Sequence, residues 1–146
     1  AGLVHRDVKP ANLVLRPSGE TCVVDLGLVR STRSGGGSWL TMTGDLLGTL
    51  CYMAPEQMVD PRRATAASDV YGLGASLIHL LEGRPPFEGR SGLEVAAALR
   101  RGEAARLDRS SGAPPVLADL VDRMTEADPS RRPGTAREVE EALGKM

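Results

Sequence analysis

The chain has 146 residues, 18 basic against 19 acidic side chains and a formal net charge of −1, so it is long enough for one domain with a real core and carries no electrostatic footprint for nucleic acid or an anionic membrane. Its only cysteines are Cys22 and Cys51, with neither a Cys-x-x-Cys pair nor a signal-peptide pattern, which makes a reduced, cytoplasmic setting the expectation. No apolar run approaches the about 20 residues that a membrane-spanning helix needs, so no membrane segment is expected in this chain.

The first informative stretch, His5-Arg6-Asp7-Val8-Lys9-Pro10-Ala11-Asn12, places five polar groups within eight residues. Pro10 fixes its own φ at about −65° and forbids a helix interior, so the segment reads as a stiff loop that can hold side chains at fixed positions. Two short apolar or β-branched runs follow, 13–15 and 21–24, separated by Arg16-Pro17-Ser18-Gly19-Glu20, and together they predict a hairpin. Cys22 falls in the second run and reads as a core residue. Residues 31–45 are polar around Ser34-Gly35-Gly36-Gly37-Ser38, a composition that does not order itself, and from the residues alone a linker and a functional loop are both open readings.

Ser68-Asp69-Val70-Tyr71-Gly72-Leu73-Gly74 opens an apolar stretch that runs to Leu81 and is ended by Gly83 and the pair Pro85-Pro86. Apolar residues on most faces predict a buried helix, in which an ionised Asp69 needs hydrogen-bond donors. His79 reads as a packed helix residue and not a ligand, since no acidic or cysteine cluster accompanies it. Residues 93–101, closed by Gly102, predict a short helix, and Leu117, Leu120, Val121 and Met124 recur at the amphipathic period as a core stripe. Thr135-x-x-Glu138 is a capping box for a last helix expected to bury Val139, Ala142 and Leu143 before Gly144.

The pattern His5-Arg6-Asp7-x-Lys9-Pro10-x-x-Asn12 resembles the catalytic loop of eukaryotic-like (Hanks-type) bacterial serine/threonine protein kinases, in the version with Lys two residues after Asp. Asp25-Leu26-Gly27 stands where that family carries Asp-Phe-Gly, with Leu26 keeping an apolar plug beside the acid. Gly48-Thr49-Leu50-Cys51-Tyr52-Met53-Ala54-Pro55-Glu56 resembles the family's substrate-side loop, and Asp128-Pro129-Ser130-Arg131-Arg132-Pro133 matches its Asp-Pro-x-x-Arg-Pro. Arg84-Pro85-Pro86-Phe87 continues the match, while Tyr71 departs from the Trp usual in eukaryotic members. The resemblance covers nearly the whole chain but only the larger C-terminal lobe of a kinase. It implies an α+β, mainly α, protein-kinase-like fold: a partial domain over 1–146, with 5–15 as catalytic loop, 25–56 as activation segment and 66–146 as helical subdomain.

Carried over residue by residue, the resemblance makes Asp7 the acceptor of the substrate hydroxyl proton, Lys9 the neutraliser of the γ-phosphate and Asn12 a magnesium ligand. Asp25 lies eighteen residues after Asp7, and a hairpin of that length returns its far end to the loop it left, so Asp7, Asn12 and Asp25 converge. Such hard oxygen donors suit Mg²⁺ carried in on ATP phosphates. Val14 is either part of the floor beneath the adenine or a plain core valine. Thr49 is expected to bond Asp7 and Lys9, Glu56 to pair with Arg132, and Asp69 to accept from the backbone of His5 and Arg6. Thr41 and Thr43 have a spacing similar to the paired phosphothreonines of bacterial members, with Arg6 and Arg30 as the cationic pocket. Asp45 as an unmodified stand-in for that charge is an equally open reading.

The family's glycine-rich loop, β3 lysine and αC glutamate have no counterpart here, because Lys9 is already assigned and the other lysine, Lys145, is next to last. The expectation is therefore a chain that opens in the middle of a larger fold: a serine/threonine protein kinase using ATP and Mg²⁺ on protein substrates, inactive without its missing N-lobe. Two other readings compete. A non-catalytic kinase-like binding module would be favoured by loss of catalytic residues, and none is lost. Another phosphotransferase, such as an aminoglycoside or lipid kinase relative, is opposed by Ala54-Pro55-Glu56 and the Gly48-Thr49-x-x-Tyr52 loop, which serve peptide substrates.

Overall fold

The computed structural model describes residues 3–25 and 48–146; the expectations placed on Leu26, Gly27, Arg30, Thr41, Thr43 and Asp45 lie outside the described residues. The polar loop turns through a short 3-10 helix, Pro10–Asn12, with Pro10 at its first position, where a missing N–H costs nothing. Strand β1, Leu13–Leu15, then pairs antiparallel with β2, Thr21–Val23, in the register Leu13 to Val23 and Leu15 to Thr21. Arg16 N–H donates to Glu20 O at 2.8 Å and Gly19 N–H to Arg16 O at 2.9 Å, and Gly19 at φ 86° supplies the left-handed step that closes the turn.

The hairpin departs from its sequence reading in burial. Cys22 is half-buried and Val14 is 45% exposed, so neither is a core residue. Two strands of three residues present both faces and have too few side chains to cover either.

Five helices lie wholly among the described residues: α1 (Pro55–Val59), α2 (Ala66–Glu82), α3 (Gly92–Arg100), α4 (Pro115–Met124) and α5 (Ala136–Leu143). Helix α2 is the spine. Tyr71 and Ala75 pack with Leu50, Met58, Val95 and Leu99; Ile78 packs with Ala105, Leu107, Ala118 and Val121; Val70 packs with Leu120, Met124 and Val139. Tyr71, Ala75 and Ile78 recur at i, i+4 and i+7 on one face of α2, so the first two clusters follow each other along the helix while Val70 turns to a second face, and burial of each large apolar side chain contributes about 1.5–3 kcal/mol. Gly74 lets α4 come close, since a Cβ there would lie 2.8 Å from Met124 Cβ. Gly83 at φ 72° ends α2, its N–H donating to His79 O at 2.8 Å. Leu80 in the last turn is 64% exposed, so the burial expected along the whole apolar stretch stops before its end.

Capping explains two further boundaries. Ser91 opens α3 by a reciprocal box that the sequence reading passed over: Glu94 N–H donates to Ser91 Oγ at 3.4 Å, and Ser91 N–H to Glu94 Oε2 at 2.7 Å. At α5, Glu138 N–H donates to Thr135 Oγ1 at 3.3 Å, but the Glu138 carboxylate turns back one residue further, to Gly134 N–H at 3.1 Å. Val139 is buried and Ala142 half-buried, whereas Leu143 is 44% exposed, because the cluster that takes the first two does not reach the end of the helix.

Candidate active site

The polar loop is held from behind by the first turn of α2. Asp69 Oδ2 accepts from His5 N–H and Oδ1 from Arg6 N–H, both at 2.8 Å. These are charge-assisted bonds, and the positive end of the helix dipole favours the carboxylate where it sits. Arg6 has φ 70°, a left-handed conformation that costs a non-glycine residue about 1–2 kcal/mol, and its bond to Asp69 is one of the contacts that hold it there.

The front of the loop is tied to the end of the hairpin. A His5 ring nitrogen, Nε2, lies 3.1 Å from Val24 O, and Val24 N–H donates to Asn12 O at 2.9 Å. Asp25 follows immediately, exposed and at φ 57°. Asn12 is buried and donates its Nδ2 to Asp7 O at 2.7 Å and to Asp7 Oδ2 at 3.2 Å. Lys9 Nζ lies 3.0 Å from the same Asp7 Oδ2 and donates to Thr49 Oγ1 at 3.1 Å. The Asp7 and Lys9 side chains are 14% and 15% exposed, shielded enough to strengthen their interaction and open enough to meet a ligand.

The result is one connected group, a carboxylate with an ammonium beside it, a hydroxyl oriented by that ammonium and an amide bonded to the carboxylate, with a second carboxylate, Asp25, next in the chain to Val24, whose N–H binds Asn12 O. Asn12 spends its amide nitrogen on Asp7, which leaves Oδ1 for a cation, and Asp25 adds carboxylate oxygens. That set fits Mg²⁺, which takes one or two protein oxygens and completes its shell with water and phosphate. No group of three or more His, Cys, Asp or Glu side chains among the described residues could form an all-protein metal cage. Two surface concavities, one lined by Arg90, Glu94 and Arg101 and one between α4 and α5, lie apart from this group.

Glu56 and Arg132 brace the other side of the site. Arg132 Nη1 and Nη2 donate to Glu56 Oε1 and Oε2 at 2.8 and 2.9 Å, and Ser68 Oγ donates to Oε1 at 2.7 Å. Arg132 also donates to the carbonyls of Glu126, Ala67 and Ala127 and lies 4.9 Å over the Tyr71 ring, so its charge is fully engaged. Burial alone would raise the Glu56 carboxyl, but the hydrogen bonds from Arg132 and Ser68 outweigh it and hold the group below its ordinary value.

Two contacts at the site escaped the sequence reading. Buried Gln57 donates from Nε2 to Arg6 O at 3.1 Å and accepts from Ala54 N–H at 3.3 Å, linking α1 to the polar loop. Its position three residues past Ala54, ahead of a helix starting with Pro55, was the available signal. Tyr52 stacks on His79 with ring centroids 6.0 Å apart and shares a short hydrogen bond between its hydroxyl and His79 Nδ1. Nothing in the sequence spacing, 27 residues, announces that pair.

A model of the protein kinase domain matches residues 1–143 of the chain. The chain belongs to the protein kinase domain family. Among curated relatives, the serine/threonine-protein kinase PknL of Mycobacterium tuberculosis is 39% identical over 133 residues, covering 90% of this chain and 32% of its own length. PkaA of Streptomyces coelicolor is 41% identical over 135 residues, 90% of this chain and 24% of the relative, and AfsK of the same organism is 40% identical over 139 residues, 93% and 16%. Both carry the name serine/threonine-protein kinase. The chain thus spans a third or less of the length of these relatives. Its protein-kinase-like fold is mainly helical with one two-stranded sheet among the described residues. No described helix is long and apolar enough to cross a membrane.

Proposed function

We propose that the chain is the C-terminal lobe of a cytoplasmic serine/threonine protein kinase that transfers the γ-phosphate of ATP to Ser or Thr hydroxyls of proteins. The observation that carries this reading is the chain of contacts from Asn12 through Asp7 and Lys9 to Thr49, which joins a cation-binding end to the loop beside α1. Asp7 Oδ2 is engaged by Lys9 and Asn12, so Oδ1 is the oxygen left to take the proton of the substrate hydroxyl. As that hydroxyl oxygen bonds to the γ-phosphorus and the bond to the β-phosphate bridging oxygen breaks, ADP leaves and the proton rests on Asp7. Lys9 places its ammonium against the charge gathering on the transferred group, and Thr49 fixes Lys9 from the peptide side. Asn12 and Asp25 would hold Mg²⁺, which when bound would supply charge neutralisation for the nucleotide phosphates.

Val14, exposed on β1, suits the floor of an adenine site. A glycine-rich loop and the Lys–Glu pair that positions the α- and β-phosphates come, in this reading, from an N-terminal lobe outside these 146 residues. The isolated chain then binds MgATP weakly and transfers no phosphate. Thr41 and Thr43 are the regulatory phosphorylation sites of the 25–56 activation segment, and Arg6 and Arg30 the cationic pocket for their phosphates. The test is the intact protein with MgATP and a degenerate Ser/Thr peptide library: phosphoserine or phosphothreonine that vanishes with EDTA supports the reading. Absence of transfer by an intact, folded protein overturns it in favour of a kinase-like binding module.

A further inference from the structure

We infer that Gln57 is a positioning residue for the proposed base: its side-chain amide pins the carbonyl of Arg6 to α1 and so aims the Asp7 carboxylate. The inference rests on the kinase reading and adds a residue to its site. All four backbone polar groups of Arg6 and Asp7 are taken, each by a different side chain. Arg6 N–H donates to Asp69 Oδ1 at 2.8 Å, and Arg6 O accepts from Gln57 Nε2 at 3.1 Å. Asp7 N–H donates to His5 Nδ1 at 3.4 Å, and Asp7 O accepts from Asn12 Nδ2 at 2.7 Å. His5 can accept there because its Nε2 faces Val24 O at 3.1 Å, and a carbonyl only accepts, so the ring proton sits on Nε2. Three of these clamps come from the polar loop and α2. Gln57 brings the fourth from α1, while its Oε1 accepts from Ala54 N–H at 3.3 Å.

Arg6 is the residue that needs the clamp. At φ 70° it sits in the left-handed region that a Cβ disfavours, so its backbone relaxes toward negative φ when the contacts holding it are weakened. The torsion φ turns about the N–Cα bond. Asp69 grips the N–H before that bond and Gln57 grips the carbonyl after it, and two grips on opposite sides fix the angle. The His5 contact also spans the bond but is the longest of the four. Rotation about φ carries the Arg6–Asp7 peptide plane with it and re-aims the carboxylate that Lys9 and Asn12 engage. Helix α1 is a firm anchor for this purpose, since Pro55, Glu56, Gln57 and Met58 are buried and Glu56 is held by both guanidinium ends of Arg132.

Cutting the bond to Arg6 should therefore slow the chemical step and leave nucleotide binding alone. Gln57→Met keeps the length of the side chain and removes both hydrogen bonds. Gln57→Glu keeps an acceptor for Ala54 N–H but turns lone pairs toward Arg6 O, so it isolates the bond in question. In the intact protein both variants should lower kcat about ten- to hundredfold with the KM of ATP within about twofold. Gly74→Ala, which overpacks the contact of α2 with α4, should lose stability yet keep kcat within about twofold, and so separates aim from mere destabilisation. Amide exchange over residues 5–8 should be about tenfold faster in Gln57→Met, a readout that needs no turnover and so separates failure of this inference from failure of the kinase reading. Unchanged kcat with unchanged exchange, full turnover by Gln57→Glu, or a fall in kcat for Gly74→Ala equal to that for Gln57→Met would each overturn it.

Discussion

Arg132 and Glu56 stand 76 residues apart in sequence and meet through two parallel hydrogen bonds, Nη1 to Oε1 at 2.8 Å and Nη2 to Oε2 at 2.9 Å, with their side chains 0% and 6% exposed. The pair fastens α1, at the end of the peptide-side loop, to the turn that precedes α5. Removing the arginine leaves a buried carboxylate with only Ser68 for company. Arg132→Met should therefore cost about 3–5 kcal/mol in urea unfolding, although the new side chain is of similar size. A loss below about 1 kcal/mol would mean that Glu56 finds water or another cation.

Glu56 also gives the fold an acid limit. Its carboxyl is held below the ordinary value, so the pair contributes stability that is present above the unfolded value of about 4.3 and is lost as pH falls through the lower folded value. Unfolding free energy should be flat from about pH 7 to 5 and decline below about pH 4.5. In Glu56→Gln the decline should be visibly smaller, measured as the difference between the two proteins at each pH.

Asp69 is the second brace. Hydrogen bonds to a charged acceptor are worth about 1.5–3 kcal/mol each, and Asp69 accepts two from the loop backbone. Asp69→Ala should lower stability by about that much or more and, by freeing the strained Arg6 and with it Asp7, reduce kcat of the intact enzyme by about 10²-fold. Asp69→Asn, which keeps one acceptor oxygen, should lie between. Thermal unfolding and steady-state kinetics on the same samples separate the two losses.

At Gly74 the prediction is purely steric. A Cβ would come within 2.8 Å of Met124 Cβ and 2.9 Å of Thr125 Cγ2, at the contact between α2 and α4. Gly74→Ala improves helix propensity but should still destabilise by about 1–3 kcal/mol through overpacking, read as a lowered Tm.

How much of this was legible in the sequence depends on whether the signal was local. The helix limits at Gly83 and Gly102, the hairpin between 13 and 23, and the stripe Leu120, Val121 and Met124 rest on turn chemistry and periodicity, which a single stretch displays. The polar loop was legible because Pro10 stiffens it and its side chains lie within eight residues. Burial was not legible at the edges: Val14, Leu80 and Leu143 are apolar and exposed, because exposure depends on what neighbouring elements cover. Pairs such as Tyr52 with His79, or Gln57 with the carbonyl of Arg6, depend on the packing of α1 and α2 and leave no trace in spacing. The left-handed φ of Arg6 and Asp25 was likewise invisible, since neither is a glycine, and Arg6 is held by contacts with Asp69 and Gln57 made far along the chain.

The most direct test of the account is phosphotransfer by the intact protein carrying Asp7→Asn, with MgATP and a threonine peptide. Asparagine keeps the shape and a hydrogen-bond acceptor for Lys9 but cannot take the substrate proton. The account predicts a fall in kcat of about 10²–10⁴-fold with the KM of ATP nearly unchanged. Full turnover by that variant would contradict it, and would mean that the carboxylate beside Lys9 is not the base.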